Sequence, residues 1–192
     1  DLDVSVIKGL PPGRQPIKTY HYFESGRLTL QNFMRQQIRQ GRQIYVVYPL
    51  IAESEKMDYL SLQEGFDAIV RDFPLPEYRV AVCHGKMKPQ DKEESMRQFK
   101  EHEADILVAT SVIEVGVDVP NATVMVIESA ERFGLSQLHQ LRGRVGRGGE
   151  QSYCILMSGD KLSKEGRARL DAMCATNDGF ELSELDLKLR GA

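Results

Sequence analysis

The residues best equipped for chemistry in this sequence lie between Arg142 and Gly149, where three arginines and four glycines fall within eight positions. A guanidinium presents a planar fork of donors that matches phosphate oxygens, and it stays charged at any physiological pH. Glycine beside it lets the backbone approach a bulky anion closely, because no Cβ intervenes. Arg144 and Arg147, three residues apart, can reach one phosphate cluster. Turning such arginines toward a core would be costly, so the loop is expected to face a phosphorylated ligand. The alternative is a basic loop that meets only water. Thr110 and Ser111, which follow the apolar run DILVA, offer hydroxyls and backbone N–H groups suited to nucleic-acid phosphates, contacts that position a strand without reading its sequence.

These residues need a scaffold, and the apolar pattern supplies one. A Pro/Gly-rich segment, PPGRQP, leads into KTYHYF, so residues 1–28 read as a linker and a first edge strand. Leu30, Phe33, Met34 and Ile38 recur at helical spacing, with Thr29 as N-cap and Gly41 as stop, and predict a helix over 30–40. IYVVYPL then reads as a strand. Leu60, Phe66, Ile69 and Val70 predict a helix over 57–72 that Pro74 ends, before the buried strand RVAVCHG. Pro89 opens a charged helix through Lys100 that buries Met96 and Phe99. DILVAT and TVMVI follow as strands, then a short helix SQLHQL and the strand SYCILM. Leu170, Met173 and Cys174 mark a further helix, and LSELDLKLRGA forms a tail. Continuous apolar strands alternating with helices predict a mostly parallel α/β sheet covered on both faces. In such sheets ligands sit beyond the carboxyl ends of the strands, so the chemistry is expected there.

Composition excludes several classes. With 192 residues, 41% hydrophobic and 28% charged, the chain matches an ordinary globular domain, and no apolar run approaches the ~20 residues of a membrane helix. It begins without methionine, basic opening or apolar signal core, and reads as a piece of something longer. Cys83, Cys154 and Cys174 are few, odd in number and far apart, which favours buried reduced thiols in the cytoplasm over disulfides or a metal site. Net charge of -3 does not announce a nucleic-acid binder. Locally, Arg27, Arg35, Arg39 and Arg42 fall in an acid-free stretch that can meet phosphates or simply form a solvated helix face.

The stretch containing Gln140, Gly143, Arg144, Gly146 and Arg147 has the form QxxGRxGR and resembles motif VI of the superfamily 2 helicases; ATSVIEVGVDVPNA resembles their motif V. HGKMKPQDKEESMRQF and IYVVYPL are similar to the segments that precede motif V in the same lobe. Within the superfamily the resemblance is strongest to the RecG family of branch-migration helicases, through PLIAESEK, VIEVGVDVPNATVMVIESAERFGLSQLHQLRGRVGRG and TNDGFELSELDLKLRGA. The transcription-repair coupling factors share the FGLSQLHQLRGRVGR run and a closing RG.

The resemblance implies a second RecA-like lobe over 29–160, followed by a helical hairpin over 161–192 that couples the motor to duplex DNA. It implies that Arg144 and Arg147 act as arginine fingers, that Gln140 lies near the γ-phosphate, and that Gly116, Asp118 and Glu114 face the nucleotide. Thr110, Ser111, His84 and Gly85 would meet the DNA backbone, with Arg169 and Arg190 in the hairpin. Other roles stay open: Asp118 can cap or turn the chain, Glu114 shares that ambiguity, His84 can be structural, and Arg169 can decorate a surface. No GxxxxGK[ST] loop and no Asp-Glu pair after an apolar strand is present in the sequence. ATP with Mg2+ is therefore expected to be held mainly by a preceding lobe, and the fragment is expected to be inactive alone. The implied partners are branched or duplex DNA and the first lobe and wedge domain of the same chain, in a bacterial, cytoplasmic monomer without membrane contact. Two other classes remain: a self-contained enzyme acting on a small phosphorylated ligand, and a non-catalytic nucleic-acid binding module.

Overall fold

The computed structural model describes residues 15–50, 55–110 and 118–191. β1 (Lys18–Phe23) leads through a 3-10 turn into α1 (Arg27–Arg39), β2 (Gln43–Tyr48), α2 (Glu55–Asp72) and β3 (Val80–Cys83). Then come α3 (Pro89–Lys100), β4 (Ile106–Thr110), β5 (Ala122–Ile127), α4 (Leu135–Arg142), β6 (Tyr153–Ser158), α5 (Lys164–Ala175) and α6 (Gly179–Gly191). The six strands form one sheet in the order β1-β6-β5-β2-β4-β3, and every pairing is parallel.

Strand alternation explains the two faces. Tyr45, Val47, Leu107, Ala109, Met125, Ile127, Cys154 and Leu156 point to one side, where Phe99 of α3, Leu138 of α4, Leu170 of α5 and Leu182 of α6 cover them. Ile44, Val46, Ile106, Val108, Val124, Val126 and Ile155 point to the other, under Leu30 and Met34 of α1, Leu62 and Ile69 of α2 and Phe73 just after it. Both faces being buried is why the strands read as uninterrupted apolar runs. Among the described residues no helix is long and apolar enough to cross a membrane.

Three local expectations are corrected. α1 starts at Arg27, with Gly26 as its N-cap and no capping side chain, so Thr29 is an exposed residue inside the first turn. Arg27 sets that start: its guanidinium donates to Glu24 at 2.6 and 2.8 Å and to Glu128 at 2.7 and 2.8 Å, and Glu128 lies 101 residues away. In α2 the buried residues are Leu62 and Ile69, continued by Phe73 just past its end, whereas Leu60 and Val70 are 44% and 39% exposed. Cys174 is exposed rather than buried, although all three thiols are free.

The basic stretch of α1 is partly consumed inside the fold. Arg27 is ion-paired, and Arg35 stacks 4.8 Å over the Phe73 ring while donating to the Asp72 carbonyl.

Candidate nucleotide and DNA edges of the sheet

The Gly/Arg loop follows α4, whose apolar residues Leu135, Leu138 and Leu141 are buried against the sheet. At its start the Gly134 N–H donates to the Gln137 side chain. At its end the chain turns through Gly143, Arg144 and Val145, whose N–H groups donate to His139, Leu141 and Arg142 carbonyls. Gly146 has φ +80, the left-handed region that glycine enters without penalty, and its N–H donates to the buried Ser152 hydroxyl at 2.9 Å. Gly148 packs against Pro120, where a Cβ would come within 3.3 Å of the Pro120 carbonyl oxygen. The loop is thus pinned between the segment entering β5 and the start of β6.

That placement gathers charge. Arg147 Nε donates to the Gly143 carbonyl at 3.2 Å and lies 3.9 Å from Asp118 Oδ1, with both side chains substantially exposed. Exposed pairs of this kind contribute little to stability, which leaves the guanidinium able to exchange partners. Nearby is the buried Tyr45 phenol: burial raises it to about 12, against the pull of the Arg144 and Arg147 guanidiniums and with the Asp118 carboxylate. Arg147 and Asp118 therefore lie together, with Arg144 near enough to act on the same phenol. Gln43, buried at the start of β2, donates to the Phe99 and Ala104 carbonyls and accepts from Asn121, which fixes the chain entering β5.

The Arg147–Asp118 pair lies at the amino edge of the sheet, just before β5 and β6, which corrects the expectation that all the chemistry follows the carboxyl ends. The carboxyl edge holds a different set. Thr110 is the buried last residue of β4, paired with Tyr48 of β2. β3 runs parallel to β4 with Cys83 opposite Ala109, so His84 comes out level with Thr110. His84 Nδ1 accepts from the Lys86 N–H at 3.2 Å, and Gly85 is exposed with open space where a Cβ would stand. Burial and the nearby Lys92 and Lys86 hold the His84 imidazole below its ordinary value, so it is neutral near pH 7. Ser111, Glu114 and Gly116 lie outside the described residues.

The other predicted residues go elsewhere. Gln140 is exposed and opens onto a groove of about 450 Å³ between α4 and α6, shared with Leu182, Asp186 and Arg190. Arg190 pairs with Asp186 one turn back at 2.6 Å. Arg169 is not surface decoration: it is half-buried and donates to the Glu131 carbonyl at 3.1 Å, tying α5 to the turn after β5.

Sequence reasoning missed Arg142. It is 2% exposed, the largest fully buried side chain among the described residues, and its Nη1 donates to the Met173 carbonyl at 2.6 Å and Thr19 Oγ1 at 3.1 Å. One of the loop's three arginines thus does face the core, joining α4, α5 and β1, and burial lowers its pKa. The signal was available, since 142 lies seven residues beyond Leu135 on the apolar stripe of α4.

An amino-edge cluster of arginines beside glycine turns can grip terminal phosphates of a nucleotide. Among the described residues no group of three His, Cys, Asp or Glu side chains can hold a metal ion. Residues 27–149 match the helicase conserved C-terminal domain, and the chain belongs to that family. Over its whole length it is 50% identical to the ATP-dependent DNA helicase RecG of Synechocystis sp. and 49% identical to that of Bacillus subtilis. It spans 23% and 28% of those two proteins, about a quarter of their length. A solved structure of RecG bound to a three-way DNA junction superimposes with TM-score 0.78 at 42% identity, covering 95% of this chain and 23% of that one. The fold is the RecA-like α/β layer of a helicase C-terminal domain.

Proposed function

We propose that this chain is the second motor lobe of an ATP-dependent DNA translocase that remodels branched DNA, such as stalled forks and Holliday junctions. The observation that carries the reading is the division of the sheet: Arg147 pairs with Asp118 at the amino edge, in the loop that also holds Arg144, while Thr110 and His84 stand level at the carboxyl edge. The amino edge is the nucleotide side. ATP with Mg2+ supplies the phosphoryl group there, and the magnesium ligands and phosphate loop belong to the first lobe. Arg144 and Arg147 orient toward the terminal phosphates and neutralise the charge that develops on them, with the Arg147 pairing to Asp118 holding the fork ready. Fingers supplied from a separate lobe make hydrolysis depend on lobe closure. Gln140, at the end of α4, and Gly116 and Glu114, between β4 and β5, are the further nucleotide contacts of this reading.

The carboxyl edge is the DNA side. Thr110 and Ser111 hydroxyls, the His84 Nε2–H and the Gly85 backbone donate to phosphate oxygens of the tracked strand. The hairpin of α5 and α6, with Arg169 and Arg190, carries lobe movement to duplex DNA. Residues 1–28 then enter from the first lobe and its wedge domain, residues 29–160 form the lobe, and residues 161–192 form the hairpin of a cytoplasmic monomer.

The test is DNA-stimulated ATP turnover by the full-length parent protein, comparing wild type with Arg144→Ala and Arg147→Ala. Loss of roughly 10³-fold or more in kcat, with nucleotide and DNA still bound, is the expected result. Unchanged turnover would refute the finger role and favour a non-catalytic DNA-binding module. The isolated 192-residue chain is expected to show no appreciable steady-state hydrolysis.

A further inference from the structure

The carboxyl end of β3 holds a side-chain arrangement that the reading above does not use. Tyr59, in the first turns of α2, meets the His84 ring edge-on, with centroids 4.9 Å apart and planes at 69°. Lys86 Nζ sits 5.0 Å from the centroid of the same Tyr59 ring, a cation–π contact. Its backbone N–H donates to His84 Nδ1. A neutral imidazole that accepts at Nδ1 must carry its proton at Nε2, so this hydrogen bond fixes the tautomer. Tyr59 thus fixes the plane of the ring and Lys86 fixes its proton. Lys92, in the first turn of α3, lies close enough to influence the same imidazole. Among the described residues, the groups facing His84 are a phenol from α2, one ammonium from the loop and one from α3, with no carboxylate among those that act on it.

We propose that Tyr59 is a positioning residue for a one-phosphate subsite on this edge. It holds His84 so that Nε2–H, together with the Lys86 and Lys92 ammoniums, addresses a single phosphate of the DNA backbone next to the one met by Thr110. The proposal rests on the carboxyl edge being the DNA side, and adds Tyr59, Lys86 and Lys92 to it. A neutral N–H fixed in direction supplies geometry, whereas the two flexible ammoniums supply charge. The two contributions are separable by salt.

The experiment measures equilibrium binding of a fluorescent three-way DNA junction by the full-length parent protein across a range of NaCl concentrations. Lys86→Ala and Lys92→Ala are each expected to weaken binding, and the double variant to reduce the slope of log K against log salt by roughly 0.9, as neutralisation of the one phosphate is lost. Tyr59→Ala is expected to weaken binding roughly tenfold, as expected for losing one donor to a charged oxygen, with the slope unchanged. Tyr59→Phe should bind as wild type, because the ring and not the hydroxyl meets His84. His84→Ala added to Tyr59→Ala should have no further effect, since both remove one contact.

An unchanged slope in the double lysine variant, or additive losses for Tyr59→Ala and His84→Ala, would overturn the proposal. Thr110→Ala separates the two levels of reading. If it weakens binding while the tyrosine and lysine variants do not, the subsite alone is wrong. If none of the variants affects binding, the carboxyl edge is not the DNA side and both readings fall.

Discussion

Replacing Gly146 by alanine strikes the Gly/Arg loop at its tightest point. The backbone there has φ +80, and a Cβ would stand 2.9 Å from Ile17 Cγ1 and 3.0 Å from Ile17 Cδ1. Holding an L-residue in the left-handed region costs roughly 1–2 kcal/mol. Pressing a methyl into Ile17 adds roughly 1–2 kcal/mol, at the lower end of overpacking costs because the isoleucine tip can rotate. The sum, about 2–4 kcal/mol, should lower Tm by roughly 5–15 °C for a domain of this size. Thermal and urea unfolding of wild type, Gly146→Ala, Ile17→Ala and the double variant measures it. The double variant should recover the overpacking share, relative to Ile17→Ala, and leave the backbone share. A Gly146→Ala protein melting within about 2 °C of wild type, or a double variant showing no recovery, would refute the geometry assigned to this turn.

Two further outcomes follow from buried contacts. Gly65→Ala should destabilise the protein by roughly 1–3 kcal/mol in urea melts, although alanine is the better helix former, because the added methyl collides with the Tyr48 phenol ring packed beneath α2. His139 provides a pH dependence: burial first, and then the neighbouring Arg142, hold its imidazole below the ordinary 6.5, with Asp178 pulling the other way. The unfolded chain therefore takes up the proton first, so stability is present above about pH 6.5 and is lost as pH falls below it. His139→Gln should flatten part of that acidic limb in Tm measured from pH 7 to pH 5; an unaltered limb would show that His139 does not titrate as described.

The sheet was legible because its strands are buried on both faces and hence apolar without interruption, as in IYVVY and ILVAT. Helix limits set by local residues were legible too: α3 runs Pro89–Lys100, opening at the proline. What the pattern could not carry was long-range. The start of α1 depends on Glu128, which no window around Arg27 contains. In α2 and just past its end, residues 60 and 70 fit one helical stripe and 62, 69 and 73 another, and only the neighbouring sheet decides between them. The Gly/Arg loop stood out through residue type, yet its edge of the sheet depended on where α4 returns the chain. Arg142 escaped because an arginine inside a basic motif reads as a ligand-facing group, while its position on the stripe of α4 made it a core residue.

The parallel sheet has a mechanical consequence. β4 is five residues long and ends at Thr110, so the two edges stand roughly 13 Å apart at ~3.3 Å per residue. The strands between them are packed on both faces by close-fitting apolar side chains, and such interiors compress little. Should Arg144 and Arg147 grip a nucleotide as proposed, a displacement imposed there would be passed to the opposite edge as movement of the whole domain rather than absorbed on the way. The lobe behaves as a stiff lever, and the distance its far end travels is set by the pivot about which it turns rather than by any deformation within it.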